Sequence, residues 1–251
     1  MKAVKAAGWP PFELRMVFFK FLLPEFNTGL TDLFIVCSYT INCMYYCNKL
    51  DNSNMEYRLN KDQLLTVLEE WNRFLKRKVH LIACGGTAMT LSGVKPSTKD
   101  VDFMVPNIQE HHYLIKQLSA LEYEPVTGFG WKRAGEIFQF DIFRGNFIHT
   151  TELLTSPLEK DGNRPLKEYS HLYLGVLNDY DLISSKLMRG TRVDFDDCLS
   201  LAEAHRTDLD IDRLIAHFNE LVSFDIAEDR LRPHMQYFIE LLHKRGLYDR
   251  R

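Results

Sequence analysis

Asp100 and Asp102, in the run Lys99-Asp100-Val101-Asp102-Phe103-Met104-Val105, are separated by a single apolar residue. In an extended strand, side chains alternate between faces, so two carboxylates leave one side while Val101, Phe103 and Val105 turn to a core. Like charges that close repel and raise each other's pKa unless a cation sits between them. Hard carboxylate oxygens with room for phosphate oxygens suit Mg²⁺. Upstream, Ala83-Cys84-Gly85-Gly86-Thr87-Ala88 sets two glycines between a short apolar run, residues 79–84, and a helix that the pattern starts at Thr87. Glycine lets a backbone approach a ligand closely, and the amides of a helix N-terminus favour phosphate. Gly85, Gly86 and Thr87 are therefore candidate phosphate-binding residues beside the candidate metal ligands Asp100 and Asp102. Each half has a plainer alternative: an edge strand with a solvated polar face, and a simple Gly-Gly turn.

The elements that must position these residues follow from periodicity. Leu64, Leu65, Leu68, Trp71 and Leu75 recur at three and four residues, with Asn60 as a cap and Asp62 and Gln63 in the first turn, so a helix with one buried stripe opens this part of the chain. Lys76, Arg77 and Lys78 suit its C-terminal end. Residues 109–121 form a second helix on Leu114, Leu118 and Leu121. Residues 131–132 and 137–143 read as strands joined around Gly135, the second carrying Asp141. Beyond Gly145 four helix-length segments follow, 179–188, 195–204, 211–222 and 225–245, punctuated by 207–210 and Pro233. Asp208, Asp210 and Asp212 read as cap and first-turn acids. His80, His111, His112 and His149 show no spacing that suggests a metal site or a nucleophile pair. The expected fold is α+β: a small mixed sheet flanked by helices at 55–150, then a mainly helical region at 151–251.

Residues 1–54 differ in texture. They are broken by Pro10, Pro11 and Pro24, and their apolar stretch, residues 33–47, is shorter than the roughly 20 residues a membrane-spanning helix needs. The clean helical pattern begins directly after Met55, which reads as the natural start, with 1–54 as an extension and a membrane anchor not expected. Across 251 residues, 45% apolar and 26% charged side chains leave little room for extended disorder. The net charge of −3 argues against a surface built throughout for nucleic acid, although a local patch is invisible in the sum. Five cysteines, odd in number and without paired CxxC spacing, suit a reducing cytoplasm. Cys43 and Cys47 could share a helix face, but two further zinc ligands have no place in the pattern.

Taken together, Gly85-Gly86, a spacer of thirteen residues (87–99) and Asp100-Val101-Asp102-Phe103 resemble the signature of the nucleotidyltransferase superfamily related to DNA polymerase β. The resemblance covers roughly residues 60–205. It is nearest to small prokaryotic members, the minimal nucleotidyltransferases and the abortive-infection toxin type, through Tyr180-Asp181-Leu182-Ile183-Ser184-Ser185-Lys186-Leu187 and then Arg192-Val193-Asp194-Phe195-Asp196-Asp197. It implies a third carboxylate on a neighbouring strand, best matched by Asp141, as metal ligand and helper in deprotonating the attacking hydroxyl. It further implies two Mg²⁺ ions, a nucleoside triphosphate substrate, and Lys186 as a point charge on the triphosphate at the mouth of the cleft, with Asp196 or Asp197 orienting it or capping a helix. The implied activity moves a nucleoside monophosphate to a hydroxyl on RNA, protein or a small molecule. The alternative is a catalytically silent nucleotide- or partner-binding member, in either case with an antitoxin-like protein as a possible partner.

Overall fold

The computed structural model describes residues 57–136 and 138–249. The readings made for residues 1–54, for the start at Met55 and for Cys43 and Cys47 lie outside the described residues. Helix α1 (Lys61–Phe74) forms as its pattern dictates: the Asn60 side chain accepts from the Gln63 amide and the Gln63 side chain accepts from the Asn60 amide, while Leu64, Val67, Leu68 and Trp71 are buried. Strand β1 (Val79–Ala83) runs into α2 (Gly85–Leu91), and β2 (Val101–Val105) leads to α3 (Ile108–Ala120), capped by the Asn107 side chain on the amides of Gln109 and Glu110. Three strands follow, β3 (Tyr123–Pro125), β4 (Gly130–Arg133) and β5 (Phe140–Arg144), then a small hairpin of β6 (Phe147–Ile148) and β7 (Thr151–Glu152). Strands β8 (Asn163–Glu168) and β9 (Leu172–Leu177) complete the β-structure. Four helices close the chain: α4 (Asp179–Arg189), α5 (Arg192–Ala204), α6 (Ile211–Ser223) and α7 (Glu228–Lys244).

The fold is α+β. Seven strands form one sheet in the order β3-β4-β5-β2-β1-β9-β8. β2 runs parallel to β5 and antiparallel to β1, and β1 runs parallel to β9. β2 is the middle strand, and all five of its residues are buried. Both sheet faces are covered there, so the simple in-out alternation expected of the Asp-x-Asp strand gives way to burial on both sides. Trp71 of α1 packs on Phe140 at 4.6 Å between ring centroids and edge-on to Tyr123, joining the first helix to β5 and β3.

Several expectations are corrected. A sheet core ending at residue 150 is too short, because β8 and β9 belong to the same sheet and β9 pairs with β1 over five residues. The mainly helical region begins at Asp179 instead. Residues 163–177 lie inside the region expected to be mainly helical, but no helical period marks them, and pairing of β9 with β1 decides their state. Asp100 lies just before β2 and is exposed, and α2 begins at Gly85 rather than at Thr87. Pro233 does not interrupt a helix: it lies inside α7, where burial of Leu231, Met235, Phe238 and Leu242 outweighs the one backbone bond it removes. Among the described residues no helix is long and apolar enough to cross a membrane.

Because β9 lies inside the sheet, between β1 and β8, Leu174→Ala, at a fully buried position on it, should cost about 2–5 kcal/mol in urea unfolding. A loss as small as that of an exposed substitution would show that the sheet does not continue past β5.

Candidate active site at the β2–β5 edge

In the parallel pairing of β2 with β5, Asp102 stands directly opposite Asp141. Opposed residues of neighbouring strands project from the same face, so the register alone sets these carboxylates beside each other. Asp102 is buried, at 6% exposure, whereas Asp141 is half-buried. Burial raises the Asp102 carboxyl first, and Asp141 and Asp100 raise it further, to about 7. Asp141 is raised by burial and by Asp100, against a weak hydrogen bond from Gln139. Asp102 therefore feels both other acids, and Asp141 feels Asp100. Only Asp102 and Asp141 are locked together by strand pairing, and among the described residues no group of three His, Cys, Asp or Glu side chains is gathered into a ready metal centre.

Glycine faces both locked carboxylates. Gly85 has φ +55°, in the left-handed region, and a Cβ built on it would collide with Asp102 Oδ2. Both facts require glycine at the first residue of α2. Gly130, paired with Asp141 across β4 and β5, is also confined: a Cβ there would lie 2.5 Å from Val126 Cγ2 and 3.2 Å from Asp141 Oδ1. Gly86 is similarly confined, since a Cβ there would lie 2.6 Å from Thr98 Oγ1. The amides of the first turn of α2 have no acceptor within that turn, so they and the carboxylates bound one space.

Two hydroxyls fix the approach to β2. Thr87 Oγ1 accepts from the Asp102 amide at 2.9 Å and donates to the Asp100 carbonyl, and Thr98 Oγ1 donates to that carbonyl at 2.7 Å. The expectation that Thr87 contacts a nucleotide is corrected for its side chain, which is buried and committed to β2. Its position ties the glycine turn to the acid strand.

Lys186 does not lie open at a cleft mouth. It is 2% exposed on α4, and its Nζ donates to Asp197 Oδ2 at 2.7 Å. Lys95 Nζ meets the other oxygen, Asp197 Oδ1, at 2.5 Å, so one carboxylate of α5 holds two cations. Lys186 and Arg189 both lower the Asp102 pKa, Arg189 the more strongly, so these charges lie near enough to be felt. Each is already paired, Arg189 with Asp194 at 2.5 Å. Although burial pushes Asp194 up, hydrogen bonds from Arg189 and Thr191 hold it below the ordinary carboxylate range. Asp196 is exposed and takes no part. Of the four histidines, His80 pairs with Glu110, and His149 packs edge-on to Phe143 at 4.6 Å. Asp210 caps α6.

Gly130, Lys95 and Arg189 were not marked by the sequence. Gly130 gains meaning only from cross-strand pairing, and Lys95 only from its contact with a helix that starts almost a hundred residues later. Arg189, three residues after Lys186 and so on a similar helix face, carried a usable signal.

The residues suit a divalent metal: two neighbouring carboxylates carry raised pKa values, and the cations close enough to relieve them are engaged elsewhere.

No family model matches the chain, and no curated protein matches it. Among solved structures it is similar to a Thermotoga maritima protein provisionally named a nucleotidyltransferase, at 17% identity over 58% of this chain and 96% of that one, with a TM-score of 0.38. It is also similar to an antigenic nucleotidyltransferase-like protein from Paracoccidioides brasiliensis, at 15% identity over 72% of this chain and 95% of that one, with a TM-score of 0.39. At those values neither similarity bears on activity, which has to be read from the residues themselves.

The raised Asp102 carboxyl makes a signed prediction. A folded-state value of about 7 against an ordinary 3.8 means that the folded protein holds this proton more tightly, so stability falls as pH rises through that window. In metal-free buffer Asp102→Asn should match the wild type or fall slightly below it near pH 4 and gain stability up to about pH 7, with a plateau above. The gain should be about 1–3 kcal/mol, the relieved burial and repulsion of the charge less the cost of a buried amide. Thermal melts across pH check this, and a variant less stable than wild type at pH 8 would contradict it.

Proposed function

We propose that this chain is a metal-dependent nucleotidyltransferase, moving a nucleoside monophosphate from a nucleoside triphosphate to a hydroxyl group. The observation that carries the reading is the side-by-side placement of Asp102 and Asp141, raised in pKa, with the Gly85 turn pressed against Asp102. The Gly-Gly and Asp-x-Asp composite, which resembles the superfamily related to DNA polymerase β, supports it, and the stretch from Tyr180 to Asp197 points to the small prokaryotic members.

In this reading Asp102 and Asp141, joined by Asp100 from the end of the preceding loop, hold Mg²⁺. When bound, the metal neutralises charge on the transferred phosphoryl group and lowers the pKa of the attacking hydroxyl. The amides of Gly85, Gly86 and Thr87 receive phosphate oxygens. Asp141, the less buried of the locked pair, takes the hydroxyl proton and passes it to solvent. The acceptor oxygen forms its bond to the α-phosphorus as the bond to pyrophosphate breaks. Lys186 and Arg189 act through their field, offsetting negative charge at the cleft while Asp197 and Asp194 hold them in place. The acceptor hydroxyl belongs to RNA, protein or a small molecule, and an antitoxin-like protein partner in the cytoplasm is part of the same reading.

The test is incubation of the full chain with Mg²⁺, each α-labelled nucleoside triphosphate, and a mixed pool of RNA and protein. Label should move to an acceptor, stop on chelation, and fall by about 100-fold or more in Asp102→Asn and in Asp141→Asn while both variants stay folded. Undiminished transfer by Asp102→Asn would contradict the assignment. Nucleotide binding without transfer to any acceptor would instead favour a silent member.

A further inference from the structure

Away from the carboxylates, α5 and α7 enclose an open pocket of about 730 Å³, within the range of sites for molecules of nucleotide size. Its lining divides by chemistry. Arg192 at the start of α5, and Lys244 and Arg245 at the end of α7, supply three cations, against which Asp196 is the single acid. Among the described residues none of these three cations forms an ion pair, unlike Lys95, Lys186 and Arg189. Phe195 and Tyr237 supply two rings in edge-to-face contact at 4.9 Å, and Tyr237 keeps 46% of its surface exposed. Leu199 and Leu241 complete an apolar lining.

Exposed aromatic surface beside unpaired cations is the combination that receives stacked bases and their phosphates. A duplex hides its base faces within its own stack and offers Tyr237 nothing to cover it. An acidic peptide would engage the cations but leave the rings in water. We propose that this pocket binds single-stranded nucleic acid, with a base against Tyr237 and the flanking phosphates on Arg192, Lys244 and Arg245. The acidic total of the chain, −3, conceals this local excess of positive charge. Binding here does not depend on the transferase reading. If that reading also holds, the strand is the acceptor, and α5 joins the two sites, carrying Asp197 toward Lys186 and Arg192 toward the pocket.

The experiment is fluorescence anisotropy of labelled single-stranded RNA and DNA of about 10 nucleotides with the full chain. Salt is varied between about 50 and 200 mM, without metal or triphosphate, so failure of catalysis cannot mask the result. The wild type should bind, and Asp102→Asn should bind equally. The triple variant Arg192→Glu, Lys244→Glu, Arg245→Glu should bind at least about 10-fold more weakly, with a salt slope shallower by about 2. Tyr237→Ala should bind roughly 5- to 100-fold more weakly with its slope unchanged, a split that loss of charge alone would not give. Arg192, Tyr237, Lys244 and Arg245 are at exposed positions, and circular dichroism checks that all the variants fold. The proposal is overturned if the wild type binds no strand, if the triple variant binds undiminished, if duplex binds as tightly as single strand, or if a mononucleotide competes with the affinity of the strand.

Discussion

Asp102 and Asp141 are neighbours because β2 and β5 run parallel in register, and most of what surrounds them is arranged around that enforced repulsion. A sheet held by its own backbone bonds cannot relax two like charges apart without losing the pairing of its middle strand. Burial first, and the repulsion second, therefore appear as a raised carboxyl at Asp102, about 7, and not as a rearranged fold. The cations that could quench it, Lys186 and Arg189, are close enough to be felt but are held back by Asp197 and Asp194. A site that kept a lysine on Asp102 would be more stable and would have no need of a divalent ion.

The surrounding architecture brings backbone close against that pair. Gly85 is required twice, by its positive φ and by the Asp102 oxygen that a side chain would strike. Thr87 and Thr98 pin the chain between the glycine turn and the acid strand through its backbone, so the side chains of Asp100 and Asp102 stay uncommitted. Behind them, Asp197 bridges Lys186 and Lys95, joining α4, α5 and the loop after α2. Each lysine gains a partner it would otherwise lack in a buried setting, which explains how a 2%-exposed lysine is tolerated.

Much of this was legible in the sequence where the signal is local. The capped helix at Asn60, the acid run at 100–102, the glycine turn and the helix starts near 179 and 211 are all written in contiguous residues, and each appears within a few positions of its expected place. What was not legible depends on pairing across distance. The strand at 163–168 has a weak local pattern; the apolar run at 172–177 carries a strand signal, but only its partnership with β1 makes both part of the sheet. Gly130 opposite Asp141 and Lys95 on Asp197 belong to the same class. Lys186 was singled out by its motif, but nothing in the motif states that a neighbouring acid would bury it.

The same distinction between local and long-range information holds for charge. Composition reports an acidic chain, whereas folding sets two carboxylates side by side on β2 and β5 and three cations between α5 and α7. The account stands or falls on the first of these. Its most direct test is the titration of the Asp102 carboxyl carbon by ¹³C NMR, with and without Mg²⁺. The account predicts a midpoint near 7 in the metal-free protein, falling below about 4 when Mg²⁺ is added. A midpoint near the ordinary 3.8 that ignores Mg²⁺ would contradict it.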